Sequence, residues 1–288
     1  MNNENKVLAC VDQSPYAPYV ADASAWAARR MDAPLEFLHV LSRQTETAIT
    51  TDNSGAIGID AQENLLQHLS TQDAARAKAA REQGRLFLNG LREKAVAAGL
   101  GQVDTRQRYG DLEATLAQQE HDVRLLVLGR RGESATHQTD HPIGRNLERT
   151  IRALHKPILT ISAPFQAPQR VLFAFDGSAN ARSAIKRAAA SPLLRGLPLH
   201  LLMSGKDRSD NCRQLDEARS RLDQAGFTTT ATLVEGEAGE VLPRAIQEQS
   251  FDLLIMGAYS HSPWRSLFLG SKTTDLLRMV SIPTLLLR

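Results

Sequence analysis

Cysteine is scarce: Cys10 and Cys212 are the two in 288 residues, far apart and without a CxxC spacing. Neither a redox pair nor a cysteine-built metal centre can be read from them, and Cys10, inside an apolar run, reads as a buried free thiol. A reducing, cytoplasmic location is the expectation. Long apolar runs are missing too, so membrane insertion is not expected, and the opening MNNENKVLACVDQS has no basic-then-apolar leader pattern. An excess of one charge is also lacking. The formal net charge is +2, and lysines and arginines are scattered without a basic block, which argues against nucleic acid as a partner. Hydrophobic residues at 42% and charged residues at 23% make ordinary globular composition, in a chain long enough for one large domain or two of usual size.

What the chain does contain is itself, twice. KVLACVDQS (6–14) resembles RVLFAFDGS (170–178), and LEFLHVL (35–41) resembles LHLLMSG (199–205). RYGDLEATL (108–116) matches VEGEAGEVL (234–242), LLVLG (125–129) matches LLIMG (253–257), and GRNLERTIRALHKPILTIS (144–162) matches GSKTTDLLRMVSIPTLLLR (270–288). Five pairs in one order mark a tandem duplication. The units expected are residues 1–163 and 169–288, joined by the short, stiff stretch 163–168 with its two prolines. Residues 42–71 have no counterpart in the second half and read as a lid, an interface segment or a tolerated insertion.

Within each half, short apolar strands alternate with helical patterns, the signature of parallel α/β units. Strands are expected near 6–11, 34–40, 102–108, 125–129 and 157–161, and again near 170–175, 198–203, 228–234, 253–257 and 283–287. Helices are expected from a cap at Ser14 to Arg30, over 72–99, after Gly110-Asp111, and after Pro142 or Gly144. In the helix over 72–99, Leu86, Phe87, Leu88 and Leu91 form the expected buried cluster. The fold class is therefore α/β: two tandem doubly wound, Rossmann-like domains, each a five-stranded parallel sheet with helices on both faces. Residues 157–161 and 283–287 are equivalent last strands, and their antiparallel pairing would leave no free edge there.

In such sheets ligands sit beyond the carboxyl ends of the strands where strand order reverses. Asp12 and Asp176 follow the first strand of each half; Gly129 and Gly257 end the fourth. A glycine there admits close backbone approach, and Gly270-Ser271 opening the last helix suits an anion. The run Gly257, two residues, Ser260, nine residues, Gly270, Ser271 resembles the fingerprint of ATP-binding universal stress protein domains, with Ser260 in place of the middle glycine. The resemblance covers nearly the whole chain as two domains. It implies an adenine nucleotide-binding fold of the alpha-hydrolase-like type, with Asp176 at the adenine end, the main chain of Ser204 lining the adenine pocket, and Gly257, Ser260, Gly270 and Ser271 at the phosphates. In the first half Asp12, Val40, Gly129, Gly132 and Gly144 are the weaker counterparts. There eleven residues separate Gly132 from Gly144, and Arg145 stands where Ser or Thr is expected.

Plainer readings stand beside these. Asp12 and Asp176 can be helix caps or Asx turns, the glycines turn formers, and Ser271 a simple cap. Arg130, Arg131 and Arg265 read as solvated, Trp264 as a loop-packing residue, and His137, Asp140 and His141 as solvated rather than metal ligands. No general base stands beside a nucleophile, and neither a GKT/GKS P-loop nor the Ser–Gly–Gly–x–Asp–Ser signature of related pyrophosphatases occurs. No catalytic or metal-ligating residues are assigned. The resemblance implies a stress-response regulator with ATP as ligand, magnesium entering only with the nucleotide, an intramolecular pseudo-dimer of the two domains and the option of a homodimer. An interaction scaffold without nucleotide and a slow ATPase are the alternatives.

Overall fold

In β1 (Lys6–Cys10), Val7 and Ala9 join the apolar layer on one side of the sheet and Leu8 the layer on the other. That period of two, with both faces apolar, is what a parallel strand covered by helices on each side requires. The computed structural model describes residues 5–41, 59–132, 145–257 and 270–287; for 59–70, 73, 145–146 and 270–274 it describes the backbone alone. Strands follow as β2 (Leu35–Leu41), β3 (Val103–Tyr109), β4 (Val123–Gly129), β5 (Ile158–Ile161), β6 (Val171–Ala174), β7 (Leu199–Ser204), β8 (Thr229–Val234), β9 (Leu253–Gly257) and β10 (Thr284–Leu287). The α-helices are α1 (Ala17–Met31), α2 (Ile59–Ala97), α3 (Leu112–Gln119), α4 (Arg145–Ala153), α5 (Ala179–Ala190), α6 (Ser209–Gln224), α7 (Ala238–Glu248) and α8 (Gly270–Met279).

The strand order is β3-β2-β1-β4-β5-β10-β9-β6-β7-β8, one continuous sheet. Each half has the doubly wound order, and every neighbouring pair is parallel except β5 with β10. That antiparallel pair aligns Thr160 with Thr284 and Ile158 with Leu286, turning two five-stranded sheets into a ten-stranded one. Buried residues of α1, α2, α5 and α6 form one apolar layer, and those of α3, α4, α7 and α8 the other, so each half contributes two helices to each face. The connector is packed rather than free: Phe165 lies against Trp26 of α1, ring centroids 5.5 Å apart.

Several expectations shift. Helix α2 starts at Ile59 rather than near 72, so residues 59–71 of the unmatched segment are the beginning of a long helix. Its core face consists of Leu88, Leu91 and Ala95, while Leu86 is 57% exposed. Leu86 lies two and five positions from Leu88 and Leu91, off the three- and four-residue spacing that holds one helical stripe together. Gly84 has a packing reason, since a Cβ there would lie 2.2 Å from Gln107 Nε2 on β3, whereas Gly90 faces open space. Ser14 does not cap α1. The N-cap is Tyr16 without a side-chain bond, and Ser14 Oγ accepts only a long 3.4 Å bond from the Tyr16 amide. Asp111, by contrast, caps α3, accepting from the Ala114 amide at 3.1 Å.

A charged cluster crosses the first half beneath this apolar pattern. Lys6 on β1 donates to Glu36 Oε2 on β2 at 2.9 Å, with both side chains less than 5% exposed. Arg106 Nε on β3 approaches Glu36 Oε1 to 3.0 Å, a charge contact not aligned as a hydrogen bond. Removing one partner of a buried pair strands the other charge in low dielectric. Glu36→Ala is expected to lower stability by about 3–5 kcal/mol, read from the urea midpoint. A loss under about 1 kcal/mol would show that water reaches Lys6.

Candidate functional site

Strand order reverses between β1 and β4 in the first half and between β6 and β9 in the second, because the chain leaves β1 and β6 toward one side and returns for the fourth strand on the other. Both crevices open at the carboxyl edge, where ligands of doubly wound sheets bind. The register Ala174↔Met256 sets the end of β6 beside the end of β9, and the Phe175 amide donates to Leu202 of β7 at 3.0 Å. Asp176, Gly257 and Ser204 therefore lie at the ends of three adjacent strands. Helix α8 follows β9 and precedes the parallel strand β10, so its N-terminus, at Gly270-Ser271, belongs to the same edge. Ser260, Gly144 and the loop residues Arg265, Trp264, His137, Asp140 and His141 lie outside the described residues.

Local chemistry explains the Asp-Gly-Ser stretch after β6. Asp176 is exposed and its Oδ1 accepts from the Ser178 amide at 3.0 Å, an Asx turn. Gly177 takes φ +71°, a backbone conformation that side chains strain, and its missing Cβ leaves room for the Gln214 side chain. Ser178 Oγ then caps α5, accepting from the Ala181 amide at 3.1 Å. The turn leaves Asp176 Oδ2 without a hydrogen bond among the described residues. Gly257 has a packing role: its missing Cβ would stand 3.2 Å from the Ala181 nitrogen and from backbone atoms of Asn180, so glycine lets β9 end against the first turn of α5.

In the first half the parallel residues also meet. Asp12 Oδ1 accepts from the Ser14 amide at 3.2 Å, and a Cβ on Gly132 would come within 2.4 Å of Asp12 Oδ2. The loop after β4 thus folds back onto Asp12, bringing Asp12, Gly129 and Gly132 together. Val40 lies near the end of β2 on the other side of β1. Arg130, expected in solvent, is instead 2% exposed and reaches into the joint between the halves. Cys10 is a half-buried rather than fully buried free thiol, and burial together with the charge of Glu36 pushes its pKa upward, which disfavours the thiolate.

Two concavities lie elsewhere among the described residues. A cleft of about 630 Å³ between α2 and the edge strand β3 is lined by Lys78, Arg81, Glu82, Arg85, Gln107 and Tyr109. A groove of about 210 Å³ runs where Met31 and Arg124 of one half meet Leu193 and Leu285 of the other. Neither includes a residue of the two crevices. Among the described residues, no three His, Cys, Asp or Glu side chains group as metal ligands, and no helix is long and apolar enough to cross a membrane.

Strand order, crevice position and the Asp-x-Ser turns define a doubly wound α/β protein duplicated within one chain. The universal stress protein family matches residues 4–162 and 202–288, and the chain belongs to that family as a tandem member. It is 35% identical over 285 residues to the universal stress protein Slr1230 of Synechocystis, covering 98% of this chain and 99% of that one. A crystal structure of a universal stress protein from Archaeoglobus fulgidus shares the fold over 99% of this chain and 97% of its own, with a TM-score of 0.72 at 17% identity.

The two half-turns differ in a measurable way. Ser178→Ala removes a true cap and is expected to cost about 1 kcal/mol in a denaturant titration, while Ser14→Ala, lacking a cap bond, costs a few tenths. Equal losses would mean that Ser14 contributes by another route.

Proposed function

We propose that this protein is a stress-response regulator that binds ATP, or another adenine nucleotide, in its second half and turns over no substrate. The observation that carries the reading is the convergence of Asp176, Ser204 and Gly257 at the β6/β9 switch point, on the sheet edge where α8 opens with Gly270-Ser271. The donor set fits a nucleotide. First-turn amides of a helix lack intrahelical partners and sit at the positive end of its dipole, which favours phosphate. The exposed Asp176 carboxylate offers Oδ2 as an acceptor for the adenosine end, while Ser260 and Ser271 are assigned to the phosphate end by the family motif. Magnesium would arrive with the nucleotide, held by phosphate oxygens.

In this reading residues 1–163 and 169–288 are two domains acting as an intramolecular pseudo-dimer in the cytoplasm, with a homodimer as a further level of assembly. The first-half counterparts Asp12, Val40, Gly129, Gly132 and Gly144 form the weaker site. Gly132 is already pressed on Asp12 Oδ2, and Arg145 opens α4 where the second half has Ser271. A scaffold that has dispensed with nucleotide is the second reading. It is favoured by the packing role of Gly257 and by the Asx turns of both aspartates, which account for these residues without a ligand.

Gly270→Val and Gly144→Val separate the readings. A branched side chain at 270 intrudes on phosphate space, and losing two charge-assisted hydrogen bonds at about 1.5–3 kcal/mol each weakens ATP at least about a hundredfold. Gly144→Val is expected to leave affinity within about twofold. Calorimetry on both variants, with folding checked by circular dichroism, reads the difference. Equal losses would mean two working sites, and no binding by the parent would favour the scaffold.

A further inference from the structure

We propose that Arg130, a residue of the first half, is the positioning residue for α8 of the second half and so for the cradle at the other end of that helix. Its consequence for ligand rests on the nucleotide reading above; its structural part does not.

Arg130 follows β4 directly, its amide donating to Ile161 O on β5 at 2.7 Å. The side chain then crosses the joint. Nε donates to Thr160 Oγ1 at 3.1 Å; Nη1 donates to Leu277 O at 2.9 Å and to Val280 O; Nη2 donates to Ile282 O and Thr284 Oγ1, each at 2.6 Å. A guanidinium has five N–H groups in a fixed fork, and these five acceptors use all of them. Four of the five belong to the second half. Three are carbonyls at the end of α8 and in the turn into β10, where a helix has carbonyls without internal partners.

None of these acceptors is a carboxylate. Burial lowers the pKa of Arg130 to about 10, still far above neutral pH, so the group is buried as a cation. What balances it is the negative end of the α8 dipole together with three converging carbonyls. Helix α8 thus has a cation seated at its C-terminus and, at its N-terminus, the amides that suit phosphate. Its ten residues span about 15 Å, so a tilt released at one end displaces the other.

The position equivalent to Arg130 differs in the second half. LLVLG and LLIMG align β4 with β9, and the residue after the glycine is Arg130 in one half but Ala258 in the other. The alanine side chain carries no hydrogen-bond donor. In this proposal the first half, whose own cradle motif is altered at Arg145, supports the second-half site in cis.

The test uses the full chain with Arg130→Met, which keeps the stem and removes the donors, and Arg130→Lys, which keeps the charge with fewer donors. Amide hydrogen exchange resolved by segment and calorimetry with ATP are measured on each, after circular dichroism. The expected result for the Met variant is exchange in residues 276–280 at least tenfold faster, with β1–β4 protection unchanged, and ATP affinity at least tenfold weaker; Lys should fall between Met and parent. Unchanged exchange in α8 would overturn the proposal, as would acceleration spread evenly over the chain, which marks a general core role. Faster α8 exchange with full ATP affinity would also sink it, because the cradle would then be independent of the clamp. If the parent binds no ATP, the nucleotide reading fails and exchange alone decides whether Arg130 positions α8. If the Met variant does not fold, the Lys variant is read by the same criteria.

Discussion

The antiparallel seam between β5 and β10 is the constraint on which the rest of the molecule depends. Both strands are four residues long and fully buried, and each would be the unpaired edge of its own sheet. Short apolar edges left open recruit other strands. Pairing them within the chain closes both at once, buries Thr160 and Thr284 opposite each other, and joins two small sheets into one. Thr160 Oγ1 donates to Thr284 O at 3.3 Å and Ser162 Oγ to Ser281 O at 2.6 Å, so polar side chains inside the seam have partners. Around it lie further ties between the halves, Arg278 with Glu148 and Arg30 with Leu193 O, and the connector's Phe165 packs on Trp26.

A seam of this kind lets a side chain of one half act on an element of the other. Arg130 does so. Its five bonds link the β4 loop, which also packs Gly132 on Asp12, to the far end of the helix that opens with Gly270. Duplication produced two crevices of one design. In the leading reading, sequence drift at Arg145 weakened one and the clamp reinforced the other.

Much of the fold was legible because it rests on local patterns. Repeated apolar runs placed all ten strands within a residue or two, and Asp-x-Ser with a strand-end glycine marked both switch points. Long-range effects were not legible. Arg130 sits in the run GRRG, which reads as a surface loop; it is buried because α8 and β10 arrive from about 150 positions away. Lys6 and Glu36 resemble ordinary strand-flanking charges until the β1–β2 register sets them together. The start of α2 lies at Ile59 rather than near 72; Ser70 and Thr71 are weak helix formers, yet such residues cost a helix only a few tenths of a kcal/mol each. At the candidate site the aspartate turns and glycines could be located from sequence, but the packing demands on Gly257 and Gly177 needed coordinates.

The central claim is that one chain of two similar units carries one dominant nucleotide site. Native mass spectrometry across an ATP titration tests it most directly, because it counts ligands per chain. The account predicts that a species with one nucleotide per chain saturates well before any with two. Two nucleotides bound with equal affinity, or none at any concentration that leaves the protein folded, would contradict it.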